Sequence, residues 1–336
     1  LKALRRAGRI AGGVLLTLLG LLFVTFMIGR VLPTDPVLAA LGDRLSGAAY
    51  LHARSDMGFD KPLYEQFILY VFRALHGDFG KSVLTSNPVL DDVARFFPAT
   101  FELATAATVI GVGLGVPLGV HAAARRGGWA DGVIRIFGLL GYSVPIFWLG
   151  LIGLLVFYVK LDVVAGPGRI DIGNEDIVNP VTGLMLLDSL IQGEWSIFLD
   201  ALRHLVLPAA VLGWFSLAYV SRMTRSMMIE QLSQEYIVTA RIKGLDEKTI
   251  VWRHAFGNIL PPLVAVVALS YAGLLEGSVL TETVFAWPGI GAYITNSLLN
   301  ADMNAVLGAT IVIGVVFIAL NLAAELIQPL LDPRAR

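Results

Sequence analysis

The sequence contains no cysteine. Disulfides, Cys-based zinc sites, iron–sulfur clusters and cysteine nucleophiles are therefore excluded. Charge is scarce as well: only 15% of the 336 residues are Asp, Glu, Lys or Arg, against about 25% in soluble domains. The two signs nearly cancel, with 25 basic and 26 acidic residues. That rules out a strongly basic nucleic-acid binder and an acidic disordered tail. Histidines are few and dispersed (His52, His76, His121, His204 and His254), and no H-E-x-x-H pair occurs. A G-x-S-x-G elbow is missing too, so an intramembrane serine hydrolase is not expected. Gly77-Asp-Phe-Gly80-Lys81-Ser82 ends like a phosphate loop, but Leu75 stands where the first glycine belongs. A turn ending an amphipathic helix is the better reading. Strand-like alternation, internal repeats and flexible linkers are absent.

What fills the chain instead is apolar residue, at 56%. About 20 such residues cross the ~30 Å of a bilayer core. Six runs qualify, at residues 10–31, 99–123, 133–159, 205–221, 259–280 and 305–327, the fourth extending toward Met228. The expected class is an all-α integral membrane protein with six transmembrane helices. The first run follows Lys2, Arg5, Arg6 and Arg9 but is long for a signal peptide and lacks an A-x-A-like site, so a retained anchor is expected. Alternating the six runs puts fifteen Lys and Arg residues on one side and eight on the other. The richer side is then cytoplasmic, with both termini inside. Segments 32–98 and 161–204 fall outside and look structured, with an amphipathic piece at Leu63–Leu75 and short helices expected around Pro180–Ile191.

Ionisable residues inside spans are suspects for function, because burying an isolated charge in lipid is costly. Glu276 lies deep in the fifth run, whereas Glu102 and Glu325 lie near run ends. Glu276, with Ser270 and Ser143, is a candidate lining of a translocation path; a carboxyl bonded to a neighbouring helix is the competing reading. For Glu102 and Glu325 interfacial placement or such a bond is favoured. Gly111, Gly113, Gly115 and Gly119 would let helix backbones approach closely. Pro261 and Pro262 are expected in the first turn of the fifth helix.

The inside loop 222–258 carries the most information. Glu235, Thr239 and Ile242 fall at helical spacing. Gly244 then permits the positive φ that ends a helix, and Asp246 can cap the next, expected over Glu247–Phe256. Such a short helix presented to the cytosol is either a docking knob or a plain connector.

The stretch Tyr236-Ile-Val-Thr239-Ala240-Arg241-Ile-Lys243-Gly244-Leu245 resembles the EAA loop of ABC importer membrane subunits, in the version of the dipeptide/oligopeptide/nickel permease family. It departs from the broader motif, since Val238-Thr239-Ala240 keeps only the last Ala and Leu260-Pro261 lies four residues late. Other stretches similar to that family run nearly the length of the chain: Pro33-Thr-Asp-Pro36, Phe59-Asp60-Lys61-Pro62, His76-Gly-Asp78-Phe-Gly80, Phe97-Pro98-Ala-Thr100-Phe-Glu102, Tyr142-Ser143-Val-Pro145-Ile-Phe147-Trp148, Arg222-Met-Thr-Arg225-Ser226, Thr281 through Gly291, and Leu331-Asp332-Pro333-Arg334. The insertion from Gly168-Arg169 to Thr182-Gly183 is similar to the dipeptide-permease B-type subunit in particular.

The resemblance implies a type I (MetI-like) importer fold with residues 1–98 as an N-terminal helix plus outer segment and 99–331 as the core. It implies a permease, most of all for dipeptides, with nickel chelates, glutathione or other peptide-like solutes as alternatives. The chain would not be an enzyme and would hold no cofactor; ATP would bind two separate cytosolic ATPases. A second homologous permease subunit, an extracytoplasmic solute-binding protein and membrane lipid complete the expected partners, without nucleic acid. Glu235, Tyr236, Thr239, Ala240, Lys243, Gly244 and Leu245 would couple to the ATPase, with Thr239, Ala240, Lys243 and Leu245 facing it. Glu276 stands where the family usually has a small apolar residue. An ATP-independent secondary transporter is the distant alternative, but it would need inverted repeats that are not seen.

Overall fold

A computed structural model describes residues 2–31, 47–56, 60–174 and 177–331. The motif residues 33–36, 59 and 332–334 lie outside the described residues. The described chain is helical, without a β-strand among the described residues. In order it forms α1 (Lys2–Val31), α2 (Gly47–Asp56), α3 (Leu63–Leu75), α4 (Val89–Ala124), α5 (Trp129–Ser143), α6 (Ile146–Gly153, continuing as a π-turn Leu154–Lys160), α7 (Met185–Gln192), α8 (Trp195–Leu232) and α9 (Glu235–Ile242). Then follow α10 (Glu247–Thr249), a π-segment Ile250–Ala255, α11 (Phe256–Val284), α12 (Ile290–Leu299) and α13 (Met303–Leu331).

Five of the six expected spans are single long helices: Ile10–Gly29, Val89–Ala124, Trp195–Leu232, Glu247–Leu275 and Met303–Ile327. The third is not. Residues 133–159 divide into α5 and α6, bent by 100° at the break, so the chain has up to six spans if this pair counts as one. Pro145 causes the break. It disfavours helical backbone at the residue before it, and Val144 is extended (φ −93°, ψ 126°). The second and fourth spans start about ten residues earlier than apolarity alone suggests, so Pro98 lies inside α4. Pro261 and Pro262 likewise lie inside α11, because the helix begins at Glu247 and reaches them through the π-segment. Neighbouring helices let spanning helices tolerate such prolines.

The chain divides into two compact units. The first comprises Leu1–Phe97 and Ala292–Ile318. Within it α3 lies along α1: Phe67 meets Phe23 and Phe26 edge-on, and the Tyr70 hydroxyl donates to Thr25 Oγ1 at 3.0 Å. Buried Asp302 accepts hydrogen bonds from Ser82 Oγ (2.6 Å) and from the amides of Val83 and Leu84, while its other oxygen caps α13 through the Ala305 amide. Ser82, the end of the apparent phosphate loop, is thus a structural tie. Gly77 and Gly80 there have φ near +73° and +81°, the left-handed values a tight turn needs.

The second unit comprises Pro98–Gly291 and Ala319–Arg336, with α8 at its centre: 72% of its apolar window is buried. Gly111, Gly115 and Gly119 recur every four residues on the α4 face that meets α8. A Cβ on Gly111 would fall 2.3 Å from Ser216 Oγ, and one on Gly119 would fall 2.6 Å from the Ser221 carbonyl oxygen. Gly113 faces open space, so it is the four-residue spacing that builds the contact. Ser216 and Ser270 share a hydrogen bond of 2.9 Å and join α8 to α11. The segment between α6 and α8 folds on Asp188. Burial would raise that carboxyl, but bonds from the Thr182 hydroxyl and the amides of Val181, Thr182 and Gly183 outweigh it and hold its pKa low.

Candidate functional site

The 222–258 loop is shorter than expected, because α8 runs on to Leu232 and the next helix begins at Glu247. What remains is α9 between two turns. Residues of α9 divide by helical phase. Ile237 and Ala240, three apart, are buried in a cluster with Val120, Met228, Ile250, Val251, Ala255 and Ile259. Val238, Thr239 and Ile242 point the other way, and Val238 and Ile242 are 51% and 82% exposed. The short helix is therefore a lever with one face fixed in the bundle and an apolar knob left outside.

Gly244 ends α9 at φ +78°. Its amide donates to the Arg241 carbonyl, and the Leu245 amide reaches back to the Ala240 carbonyl. These bonds satisfy carbonyls that a helix end leaves unpaired. Asp246 then accepts from the Thr249 amide at 3.0 Å, which starts α10; the Thr249 bonds hold the Asp246 carboxyl below its ordinary pKa. Arg241 grips Glu247 across the turn at 2.6 and 3.2 Å. That pair is exposed, so it adds little stability, yet it fixes the turn angle. The Tyr236 hydroxyl donates to Gln231 and ties α9 to the end of α8.

Among the seven expected coupling residues, Glu235, Thr239, Lys243, Gly244 and Leu245 are exposed and Tyr236 is partly covered. Ala240 is not outward-facing: it is 7% exposed and packs inward. Its smallness lets α9 sit close to the bundle. Val238 and Ile242 take its place on the outer face. Their four-residue spacing was the available signal, but so was the Ile237/Ala240 spacing, and periodicity alone does not say which stripe faces in.

Ser270 is buried in the α8–α11 contact described above, and Ser143 donates to Leu139 O at the end of α5. Glu276 lies in α11, with its side chain outside the described residues. Glu325 is exposed on α13. Glu102 is buried and paired: Arg169 donates to Glu102 Oε2 from Nε and Nη2, the latter at 2.6 Å. Sequence reading missed two further groups. Glu282 is wholly buried, accepting from Thr100 Oγ1 at 2.6 Å and Ser278 Oγ at 2.9 Å, while Gly289 and Gly291 leave room for its carboxylate. Buried His204 lies between Asp200 and Asp171; its Nδ1 is 3.0 Å from the Asp200 carbonyl oxygen and its Nε2 3.7 Å from Asp171. Asp200 in turn holds the Asp171 amide and Asn174, so this cluster ties the segment after α6 to α8.

Comparison with known proteins agrees with this architecture. A family model described as "Binding-protein-dependent transport system inner membrane component" matches residues 115–336, and its N-terminal companion matches residues 4–104. The chain is 43% identical to the probable D,D-dipeptide transport system permease protein DdpB of Escherichia coli K12, covering 96% of this chain and 94% of that one. It is 38% identical to the dipeptide transport system permease protein DppB of the same strain, covering 97% and 96%. Against the di/tripeptide permease DppB of Pseudomonas aeruginosa UCBPP-PA14 the identity is 40%, with 95% of both chains covered. A solved structure of the MetNI methionine ABC transporter, inward facing, matches with a TM-score of 0.55 at 15% identity, covering 74% of this chain and all of that one. That likeness establishes a type I importer fold.

Proposed function

Because the chain belongs to the family of binding-protein-dependent transport system inner membrane components, we propose that it forms half of an ATP-driven path for importing short peptides, dipeptides most of all. It is a multi-pass membrane permease and not a catalyst of covalent chemistry. The observation that carries the mechanism is α9: a short helix with a buried face and an exposed apolar knob of Val238, Ile242 and Leu245. A knob of this kind fits a groove on a cytosolic ATPase. Closure of two such ATPases on ATP would push α9, and through Ile237 and Ala240 the push would reach α4, α8 and the π-segment that leads into α11. A second permease subunit of similar fold would complete the path. A binding protein would dock on the outer segments around 60–88 and 161–194. Substrate choice would lie chiefly in that binding protein, which is why nickel chelates and glutathione stay within reach of the same fold.

Gentle solubilisation of the tagged chain should recover a second permease subunit and ATPases, in a complex that hydrolyses ATP. A homo-oligomer without ATPase would reopen the secondary-transporter reading. Ile242→Asp should weaken ATPase association by about 30-fold, since an apolar anchor at an interface centre contributes ~2 kcal/mol or more. The fold should be untouched, because Ile242 buries little in this chain. Unchanged co-purification would remove α9 from the interface.

The orientation follows if the bent pair α5–α6 traverses the membrane as one span; both termini are then cytoplasmic, in agreement with the excess of basic residues on that side. The absence of cysteine makes this simple to check. In intact spheroplasts an impermeant maleimide should label Asp171→Cys and leave Thr239→Cys unlabelled. The reverse pattern, Thr239→Cys labelled and Asp171→Cys protected, would mean that the pair re-enters on one side, because α8 separates the two positions in either case.

A further inference from the structure

A cavity of ≈ 490 Å³ opens between α5 and α8, lined by Leu139, Tyr142, Ala218 and three arginines, Arg135, Arg222 and Arg225. Its volume lies in the range that holds small-molecule ligands. Its charge is unbalanced. Arg225 is neutralised by buried Asp131, which takes its Nε and Nη2 at 2.6 and 2.8 Å. Arg222 has no ion-pair partner among the described residues. Its guanidinium lies over the Tyr142 ring, 4.8 Å from the centre.

Arg222 stands ten residues before the end of α8, which is about 15 Å along a helix axis. It lies toward the end of α8 that leads into the 222–258 loop, where it is exposed and lines the cavity without a counter-charge among the described residues. The Tyr142 face stabilises the cation without neutralising it. It also holds the guanidinium plane, so that the N–H edges are left for another acceptor. A planar fork of this kind matches the two oxygens of a carboxylate. The remaining lining is largely apolar and suits the rest of a small organic molecule.

We propose that Arg222, oriented by Tyr142, receives the α-carboxylate of the transported peptide in this cavity. The proposal rests on the peptide-importer reading above and names the residue that holds the cargo after the binding protein lets go. Asp131 then has a second role: by occupying Arg225 it removes one of the three guanidinium forks from the lining. An anionic lipid headgroup offers similar oxygens, so the test separates the two sources.

The complete transporter, with both permeases, ATPases and binding protein, is reconstituted in zwitterionic liposomes. Labelled dipeptide moved per ATP hydrolysed is measured for wild type, R222K and R222Q. R222Q should lower that ratio by ~10-fold or more, the size expected for losing a hydrogen bond to a charged group. R222K should recover a large part of it, and ATP hydrolysis should stay comparable in all three. An unchanged ratio in R222Q overturns the proposal. So does a fall of transport and hydrolysis in step in both variants, which marks a structural arginine. A difference between wild type and R222Q that appears only after anionic lipid is added assigns the cavity to a headgroup and also overturns it. If wild type itself moves no dipeptide, the peptide reading fails with it, and the wild-type lane shows which of the two has fallen.

Discussion

Gly244→Asp is expected to abolish peptide uptake while the chain stays in the membrane at near-normal abundance. Two features of the residue separate these effects. Nothing lies within 4 Å of the position a Cβ would take, so an Asp side chain meets open space. The φ of +78° is a left-handed value, which costs a non-glycine residue roughly 1 kcal/mol, and Asp tolerates it better than most. The fold should therefore survive. The new carboxylate, however, would join Asp246 and Glu247 beside Ile242, Lys243 and Leu245, all exposed. If an ATPase covers this face, an unpaired charge is buried there at a cost of several kcal/mol, enough to uncouple hydrolysis from transport. Gly244→Ala carries at least that backbone cost without the charge and should keep most of the uptake. Normal uptake by the Asp variant would sink the assignment of α9 as the coupling element. Equal loss in the Ala variant would move the cause from interface charge to turn geometry.

The glycine was readable because its demand is local. A helix-spaced run followed by Gly, then Asp three residues before Thr249, spells an end and a start whatever the surroundings. The proline signals were not readable in the same way. Pro98, Pro117, Pro145, Pro208, Pro261 and Pro262 all lie in or beside apolar runs. Only Pro145 breaks its helix; the others stay inside α4, α8 and α11. The difference is tertiary, since neighbouring helices decide whether freed carbonyls are tolerated. Span ends fell short for a related reason. Residues 89–98 and 195–204 carry charge and lower the local hydropathy, yet some of their polar groups are paired inside the fold, as Asp92 is with Asn87 and Tyr293 and Asp200 is with Asn174. The resemblance of the 235–245 stretch picks out a short helix between two turns, but Ala240 shows its limit. A motif names residues without saying which face each one takes.

The ties that hold the segment between α6 and α8 join residues far apart in sequence, and one of them supports a second large effect. Glu102→Ala is expected to lower the melting temperature by on the order of 10 °C and to open residues 168–192 to protease. Glu102 and Arg169 are 8% and 12% exposed, and the pair is gripped through Nε and Nη2 at 3.0 and 2.6 Å. The other Glu102 oxygen accepts the Leu186 amide at 2.8 Å, and Arg169 donates also to the Gly183 carbonyl at 2.9 Å. One carboxylate thus fastens two points of the outer segment to α4. Removing it leaves a buried guanidinium without a counter-charge and a backbone amide without an acceptor. Breaking a buried pair from one side costs about 3–5 kcal/mol, and each kcal/mol is worth roughly 2–4 °C in a chain of this size class. The double variant Glu102→Leu with Arg169→Met should recover much of the loss, because an apolar pair of similar volume avoids the stranded charge. Unchanged melting and an unchanged cleavage pattern in Glu102→Ala would show that the outer segment is held elsewhere, by Asp188 and the Asp200–His204 cluster alone. Because the Arg241–Glu247 turn lies in the loop proposed to couple to the ATPase and shares no residue with this tie, ATPase co-purification should persist in Glu102→Ala while uptake falls. That split assigns the defect to the docking side of the permease.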